Sequence, residues 1–182
     1  MFTTTRSALL PLLTFIASAM DKKNTIPILS NVLIRTEGDD VTFAATDRDT
    51  TKITKLKEVK PTPPLNACVA GKKLIEIVKA LPTDAEIEFS TTNSKLLIRS
   101  GTARFQMPTT DVANFPEINY NTKVITSIPA ATIEAALNRT ISATTKEESR
   151  YALHGINVEI ATNSCLMTAT NGHRLAHCQF AI

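Results

Sequence analysis

The residues best equipped for chemistry crowd the last stretch of the chain: His173, His177 and Cys178, with His154 upstream. Imidazoles and thiolates hold metals and move protons, so those are the first activities to test. The segment carrying them reads as an extended strand, where residues four apart share a face but lie about 13 Å apart, too far to grip one ion. Asp47 and Asp49 offer carboxylates, but both sit among turn residues. No Gly-rich phosphate loop, nucleophile elbow or HExxH helix occurs. Cys68, Cys165 and Cys178 form no CxxC pair and are too scattered for a disulfide framework, so reduced thiols are expected. The expectation is therefore no cofactor, no metal site and no catalytic residues, which disfavours a small enzyme.

What remains is the chemistry of charge and of apolar surface. The net charge of +3 divides as 9 basic against 7 acidic residues over 1–60, 7 against 6 over 61–123, and 4 against 4 over 124–182. That gentle excess supports loose contact with a polyanion and excludes the dense basic face of a tight nucleic-acid binder. With 43% hydrophobic and 20% charged residues, the chain can bury a core and is not a disordered polyelectrolyte. The N-terminal run MFTTTRSALLPLLTFIASAM is broken by Pro11 and shows no small-residue cleavage site. No run reaches 18 apolar residues, so the expectation is a cytoplasmic protein without a membrane partner.

The elements that must position these residues follow from periodicity. Phe2-Thr3-Thr4-Thr5 has β character, and Leu9, Leu12, Leu13 and Ile16 mark one helix face, with Ser7 as N-cap and an end near Met20. Ile28 to Thr36, Val41 to Thr46 and Lys52 to Leu56 read as strands, the first two joined by the turn Glu37-Gly38-Asp39-Asp40. After Pro61-Thr62-Pro63-Pro64 the order returns. Asn66 to Val69 is a strand, Leu74, Ile77, Val78 and Leu81 mark a helix, and Ala85 to Ser90, Lys95 to Ser100 and Ala103 to Met107 are strands. A third round predicts a strand at Val124 to Ile128 and a helix through Ile133, Ala136, Leu137 and Thr140. Strands at Tyr151 to Ile160, Ser164 to Thr170 and Leu175 to Ile182 complete it.

The first and third rounds superpose without a gap. Leu9 pairs with Ile133, Leu13 with Leu137, Leu29 with Leu153, Ala45 with Ala169 and Thr46 with Thr170, each pair 124 residues apart. A constant offset through a helix, a turn and three strands identifies an internal repeat. One helix beside a short antiparallel sheet leaves both apolar faces half covered, so such a module needs a partner of its own kind. The expected architecture is α+β, built of strand-helix-three-strand modules, two to a domain. Modules 1–60 and 61–120 form a first domain, and 121–182 supplies half of a second.

The segment Asn24-Thr25-Ile26-Pro27-Ile28-Leu29-Ser30-Asn31, the later Thr46-Asp47, the Ser100-Gly101-Thr102-Ala103-Arg104-Phe105 hairpin and Asp111 to Pro116 resemble the bacterial replicative sliding clamp, the β subunit of DNA polymerase III. So do Arg150-Tyr151-Ala152-Leu153-His154-Gly155 and Ala169-Thr170-Asn171-Gly172-His173-Arg174-Leu175-Ala176. Clamps of this kind hold six modules per chain in three domains, and two chains close into a ring around duplex DNA. This chain resembles the first three modules, and it departs from the family in length, by about half, and in its basic rather than acidic balance.

The resemblance implies two sites and no catalysis. Helices lining such a ring offer basic groups to phosphates, giving sequence-independent, salt-sensitive binding. Lys23 and Lys72 fall where the family carries DNA-contacting arginines, and Tyr151 where it carries an aromatic. Lys22, Lys73, Lys79 and Arg150 complete the set, whose ordinary alternative is a solvated helix face. Leu153, Thr170, Gly172, His173, Arg174 and Leu175 match the second-domain wall of the cleft that receives short linear motifs of DNA polymerase and clamp-loader subunits. Strand core is the ordinary alternative for Leu153 and Leu175. The unpaired third module predicts self-association through the stripe Ile133, Leu137 and Ile141, giving a homo-oligomer. The implied function is a processivity factor that embraces DNA and tethers a polymerase. The alternative is a truncated or split clamp acting as a non-encircling protein-interaction module.

Overall fold

The computed structural model describes residues 1–20, 26–118 and 124–182. The chain divides into two compact units, Met1–Asn119 and Tyr120–Ile182.

In the first unit, strand β1 (Phe2–Thr5) runs into helix α1 (Arg6–Ala17), and strands β2 (Asn31–Glu37), β3 (Asp40–Thr46) and β4 (Thr51–Leu56) follow. The second module repeats this as β5 (Asn66–Ala70), α2 (Gly71–Ala80), β6 (Glu86–Thr92), β7 (Lys95–Ser100) and β8 (Ala103–Pro108). The leading strand of each module leaves its own sheet and joins the other's. The two sheets run β1-β6-β7-β8 and β4-β3-β2-β5, antiparallel throughout. Phe2 on β1 stands opposite Phe89 with rings stacked 4.8 Å apart, and it meets Phe43 of the other sheet edge-on at 6.4 Å. Leu9, Leu13 and Ile16 of α1 and Leu74, Ile77 and Val78 of α2 enter the same core. Each such side chain contributes about 1.5–3 kcal/mol of transfer free energy. Gly71 opens α2 where any Cβ would collide with Met20 and Val32, so the helix start lies directly on β2.

The second unit holds one module. Helix α3 (Ala130–Thr140) packs on strands β9 (Asn157–Ile160), β10 (Ser164–Thr170) and β11 (Leu175–Ala181), in sheet order β11-β10-β9. Its core is small: Ala136, Cys165, Met167 and Cys178, with Ile128, Ile133, Ile156, Phe180 and Ile182 packed around them. Shifted by 124 residues, β3 coincides with β10 in full, and α1 and β4 lie within a residue or two of α3 and β11.

Several local expectations are corrected. Thr5, not Ser7, caps α1: extended at φ −100°, ψ 153°, its Oγ1 accepts from the Ala8 amide at 3.3 Å. That helix ends at Ala17 rather than near Met20, with Ser18 as C-cap. The strand expected from Ile28 begins at Asn31, because Pro27–Ser30 forms a 3-10 turn in which the Ser30 hydroxyl donates to the Pro27 carbonyl at 2.7 Å. The strand expected from Tyr151 is likewise a 3-10 segment, Glu148–Leu153, before β9. Alternating apolar residues mimic a strand in both places. Val124 to Ile128 forms no strand. In the first unit the leading strand pairs only with the partner module's sheet, and the second unit has no partner module among the described residues.

Candidate functional site

Lys72 and Lys73 lie exposed in the first turn of α2, and Lys79 lies exposed in its last. Positions 72 and 79 are seven residues apart, so they share a flank about 10 Å long, close to the rise of three base-pair steps. Among the described residues none of the three is held in an ion pair. The first turn of α2 carries no acidic residue, and Ala70 supplies no side-chain cap. Two ammonium groups therefore add to the positive end of the helix dipole, an arrangement that suits an anion and opposes the helix. Lys22 and Lys23 lie outside the described residues. A cation that sequence reading missed is Lys52, whose Nζ sits 4.5 Å above the Phe15 ring and donates to Ser18 Oγ at 2.7 Å. Its contact with Phe15 crosses from β4 to α1, a pairing with no local sequence signal.

Arg150 and Tyr151 belong to the 3-10 segment of the second unit, with Tyr151 81% exposed. The Arg150 guanidinium is engaged: Nε pairs with Glu147 at 3.4 Å, and Nη1 donates to the Asn171 carbonyl at 3.1 Å. It fastens the β10–β11 turn to the 3-10 segment. His154 Nε2 contacts the Glu147 carbonyl at 2.7 Å and steadies the same segment.

That turn is a built object. Thr170 Oγ1 donates to the Arg174 carbonyl at 2.8 Å and accepts from the Gly172 amide at 3.1 Å. Asn171 Oδ1 accepts from the amides of His173 and Arg174, both at 3.0 Å. Gly172 sits at φ +88°, where glycine is favoured. The β3–β4 turn, 124 residues earlier, repeats the pattern. Thr46 Oγ1 donates to the Thr50 carbonyl and accepts from the Arg48 amide, Asp47 Oδ1 accepts from Asp49 and Thr50, and Arg48 stands at φ +82°. Thr170, Asn171 and Gly172 are thus accounted for by the turn itself. His173, Arg174 and Leu175 replace Asp49, Thr50 and Thr51, and the network uses none of their side chains. Leu175 is 65% exposed, an unusual place for a leucine.

Leu153 and Thr170 line one groove of about 390 Å³, together with Ile156, Asn157, Glu159 and Ala169. The structure therefore brings Leu153 and Thr170 together, while Gly172, His173, Arg174 and Leu175 stand on the adjoining turn and strand start. Of the expected self-association stripe, Leu137 and Ile141 are exposed, but Ile133 is half-buried against its own unit's core. The expectation of one bare stripe is corrected to that extent, since Ile133 lies on the same side as Ala136 and turns inward.

The groups near the chain's histidines do not converge. His177 is exposed and Cys178 buried on opposite faces of β11, and among the described residues no cluster of three His, Cys, Asp or Glu could hold a metal. The shifts in acidity that stand out lie in the first unit. The hydrogen bond from Lys55 lowers the Glu37 carboxyl, and burial raises the Cys68 thiol. No described helix is long and apolar enough to cross a membrane.

Comparison with known proteins supplies the frame. Residues 1–119 match the family described as DNA polymerase III beta subunit, N-terminal domain, and residues 127–182 match its central domain. The beta sliding clamp of Pseudomonas putida is 31% identical over 181 residues, covering 99% of this chain and 49% of that protein. That of Escherichia coli K12 is 30% identical over 182 residues, covering 100% and 50%. The crystal structure of the DNA polymerase III subunit beta from Pseudomonas aeruginosa superposes with a TM-score of 0.91 at 31% identity, over 98% of this chain and 49% of that one. The chain spans about half the length of the curated relatives it matches. With two successive domains of one family matched in order and the fold shared, this chain belongs to the DNA polymerase III beta subunit family.

Proposed function

We propose that this chain is a clamp-type processivity factor that contacts duplex DNA without sequence preference, tethers replication proteins and performs no reaction itself. The observation that carries the reading is the ordered match of both units to beta-subunit domains. The flank of Lys72, Lys73 and Lys79 supports DNA contact, since unpaired ammonium groups along a helix suit phosphates and read no bases. Lys22, Lys23, Arg150 and Tyr151 belong to the same reading by resemblance. The groove at Leu153 and Thr170, with His173, Arg174 and Leu175 beside it, suits a short apolar peptide bearing an acidic group, as DNA polymerase or clamp-loader subunits would present. Residues 121–182 are then the first half of a second clamp domain, and the working compartment is the cytoplasm, where replication proceeds.

Fluorescence anisotropy with two unrelated duplexes tests the DNA contact. Binding is equal for both and falls steeply between 50 and 200 mM salt, and Lys72→Glu with Lys73→Glu and Lys79→Glu lowers it at least tenfold. Each phosphate contact removed should reduce the log–log salt slope by about 0.9. Unchanged binding in the triple variant removes these lysines from the site. A second reading is a split clamp acting as a non-encircling protein-interaction module, which the groove at Leu153 and Thr170 would serve without a ring. Stoichiometry separates the two, because a closed ring of about twelve modules needs four such chains.

A further inference from the structure

The face of α1 turned away from the core is apolar where the repeat does not require it. Leu10 is half-buried, while Pro11 and Phe15 stand exposed, Phe15 at 53%. The corresponding face carries Lys72, Glu76 and Lys79 in α2 and Glu134, Asn138 and Arg139 in α3, so the module folds equally well with polar residues there. With Arg6, Ser7 and Thr14 of the same helix and Thr83 of the turn before β6, these residues line a groove of about 720 Å³. Both its size and its apolar floor suit a small molecule.

The polar groups at its rim leave one demand open. Thr14 Oγ1 donates to the Leu10 carbonyl at 2.8 Å, and the Ser7 and Thr5 hydroxyls share a hydrogen bond at 3.0 Å. Thr83 Oγ1 accepts from Arg6 Nη1 at 3.2 Å, the one bond that this guanidinium makes among the described residues. Arg6 Nε is buried without an acceptor. No carboxylate lines the groove, and Asp84 beside Thr83 and Glu86 opposite Thr5 both stand beyond ion-pair reach of Arg6. The first turn of α1 holds no acidic residue either, so the positive end of the helix adds to the same field. A cation with most of its donors unspent, at the wall of an apolar groove, calls for an anion that brings its own apolar body.

We propose that this groove binds a free single-chain carboxylate, its head on Arg6 and its chain laid over Leu10 and Pro11 toward Phe15. From Arg6 to Phe15 the helix rises about 13 Å, the span of a chain of about ten carbons. A peptide is a poorer fit, because side chains wall the groove and no strand edge is there to satisfy backbone amides. A membrane is poorer too, since one arginine is not the polybasic patch that holds a protein on anionic lipid. The site lies wholly within Met1–Asn119 and is independent of the DNA and peptide contacts proposed above.

Decanoate is the probe, titrated into the whole 182-residue chain below its micelle concentration and followed by two-dimensional NMR. Shifts should gather at Arg6, Leu10, Thr14, Phe15 and Thr83. Affinity should rise at least threefold with each two carbons added from hexanoate to decanoate, then level off where the groove ends at Phe15. Decanol should bind at least tenfold more weakly than decanoate. Arg6→Gln should weaken decanoate at least tenfold, with Arg6→Lys in between, while NMR dispersion shows the unit still folded. Phe15→Gln, at a site outside the core, should weaken it at least fivefold. No shifts at millimolar decanoate, shifts gathered instead at Leu153 and Thr170, decanol binding as well as decanoate, or indifference to Arg6→Gln each overturn the assignment. So does retention by phosphatidylglycerol vesicles that Arg6→Gln abolishes, which gives the groove to a membrane surface.

Discussion

Gly172 and Arg48 occupy the same place in two copies of one turn, at φ +88° and +82°, and only one of them is the residue that such a backbone favours. Opposite effects follow from opposite substitutions. Gly172→Ala should cost the second unit about 1 kcal/mol, because a Cβ is disfavoured there and would press on Arg150 Nη1 at 3.0 Å. Arg48→Gly should stabilise the first unit by a similar amount, about 1 kcal/mol less the added chain entropy of glycine. Urea unfolding followed by NMR signals from each unit reads both. A second residue-scale test uses acidity. Burial raises the Cys68 thiol above its ordinary value of 9.0, so the folded state resists losing that proton while the unfolded chain gives it up. The linked stability is full below the unfolded value and is lost as pH climbs through the folded one. Cys68→Ala should therefore flatten the alkaline loss of stability above about pH 9, measured by unfolding midpoints across the pH range.

At the scale of elements, helix α2 places function against stability. Lysines in its first turn oppose the dipole, so Lys72→Glu should stabilise the helix by about 0.5 kcal/mol while weakening DNA binding. Thermal unfolding and anisotropy on the one variant should move in opposite directions, and a loss of both would return Lys72 to a packing role. The helix faces were legible because Leu9, Leu13 and Ile16 or Leu74, Ile77 and Val78 recur at helical spacing, and the core enforces that spacing. Ser164–Thr170 was legible to the residue, since its alternation is bounded by turn formers. What stayed hidden was whatever depends on a distant partner. Val124 to Ile128 has strand composition, but pairing is a property of two segments, and its partner lies in no sequence window around it. Pro27–Ser30 and Glu148–Leu153 were misread because a 3-10 turn can carry alternating apolar residues. Of the candidate sites, the exposed lysines of α2 were readable from residue type and spacing, whereas Leu175 entered only through the resemblance to the clamp family. The engagement of Arg150 with Glu147 and Asn171 was not, because it joins segments that only the folded turn brings together.

At the scale of the whole molecule, the two units differ in self-sufficiency. The first closes its core with two modules, Phe2 bridging the sheets, while the second gathers a small core cluster around Ala136, Cys165, Met167 and Cys178 under a three-stranded sheet. If another copy covers the exposed Leu137 and Ile141 of α3, unfolding of the second unit is linked to protein concentration and that of the first is not. A hundredfold dilution should lower the melting temperature of the second unit by several degrees and leave the first unmoved, as read by temperature-dependent hydrogen exchange. Two concentration-independent transitions would show that each unit stands alone.

The exchange of β1 and β5 also sets a timetable for synthesis. Strand Phe2–Thr5 must wait for Glu86–Thr92 to emerge from the ribosome before it has a neighbour. During that interval the nascent first module presents an open sheet edge and a leading strand without a neighbour. Delayed long-range pairing is slow and prone to capture. Neighbouring ribosomes on one message would hold such half-built modules at high local concentration, where a strand can join the wrong chain. Translation speed between residues 60 and 92 is therefore a variable that should govern the yield of correctly assembled protein.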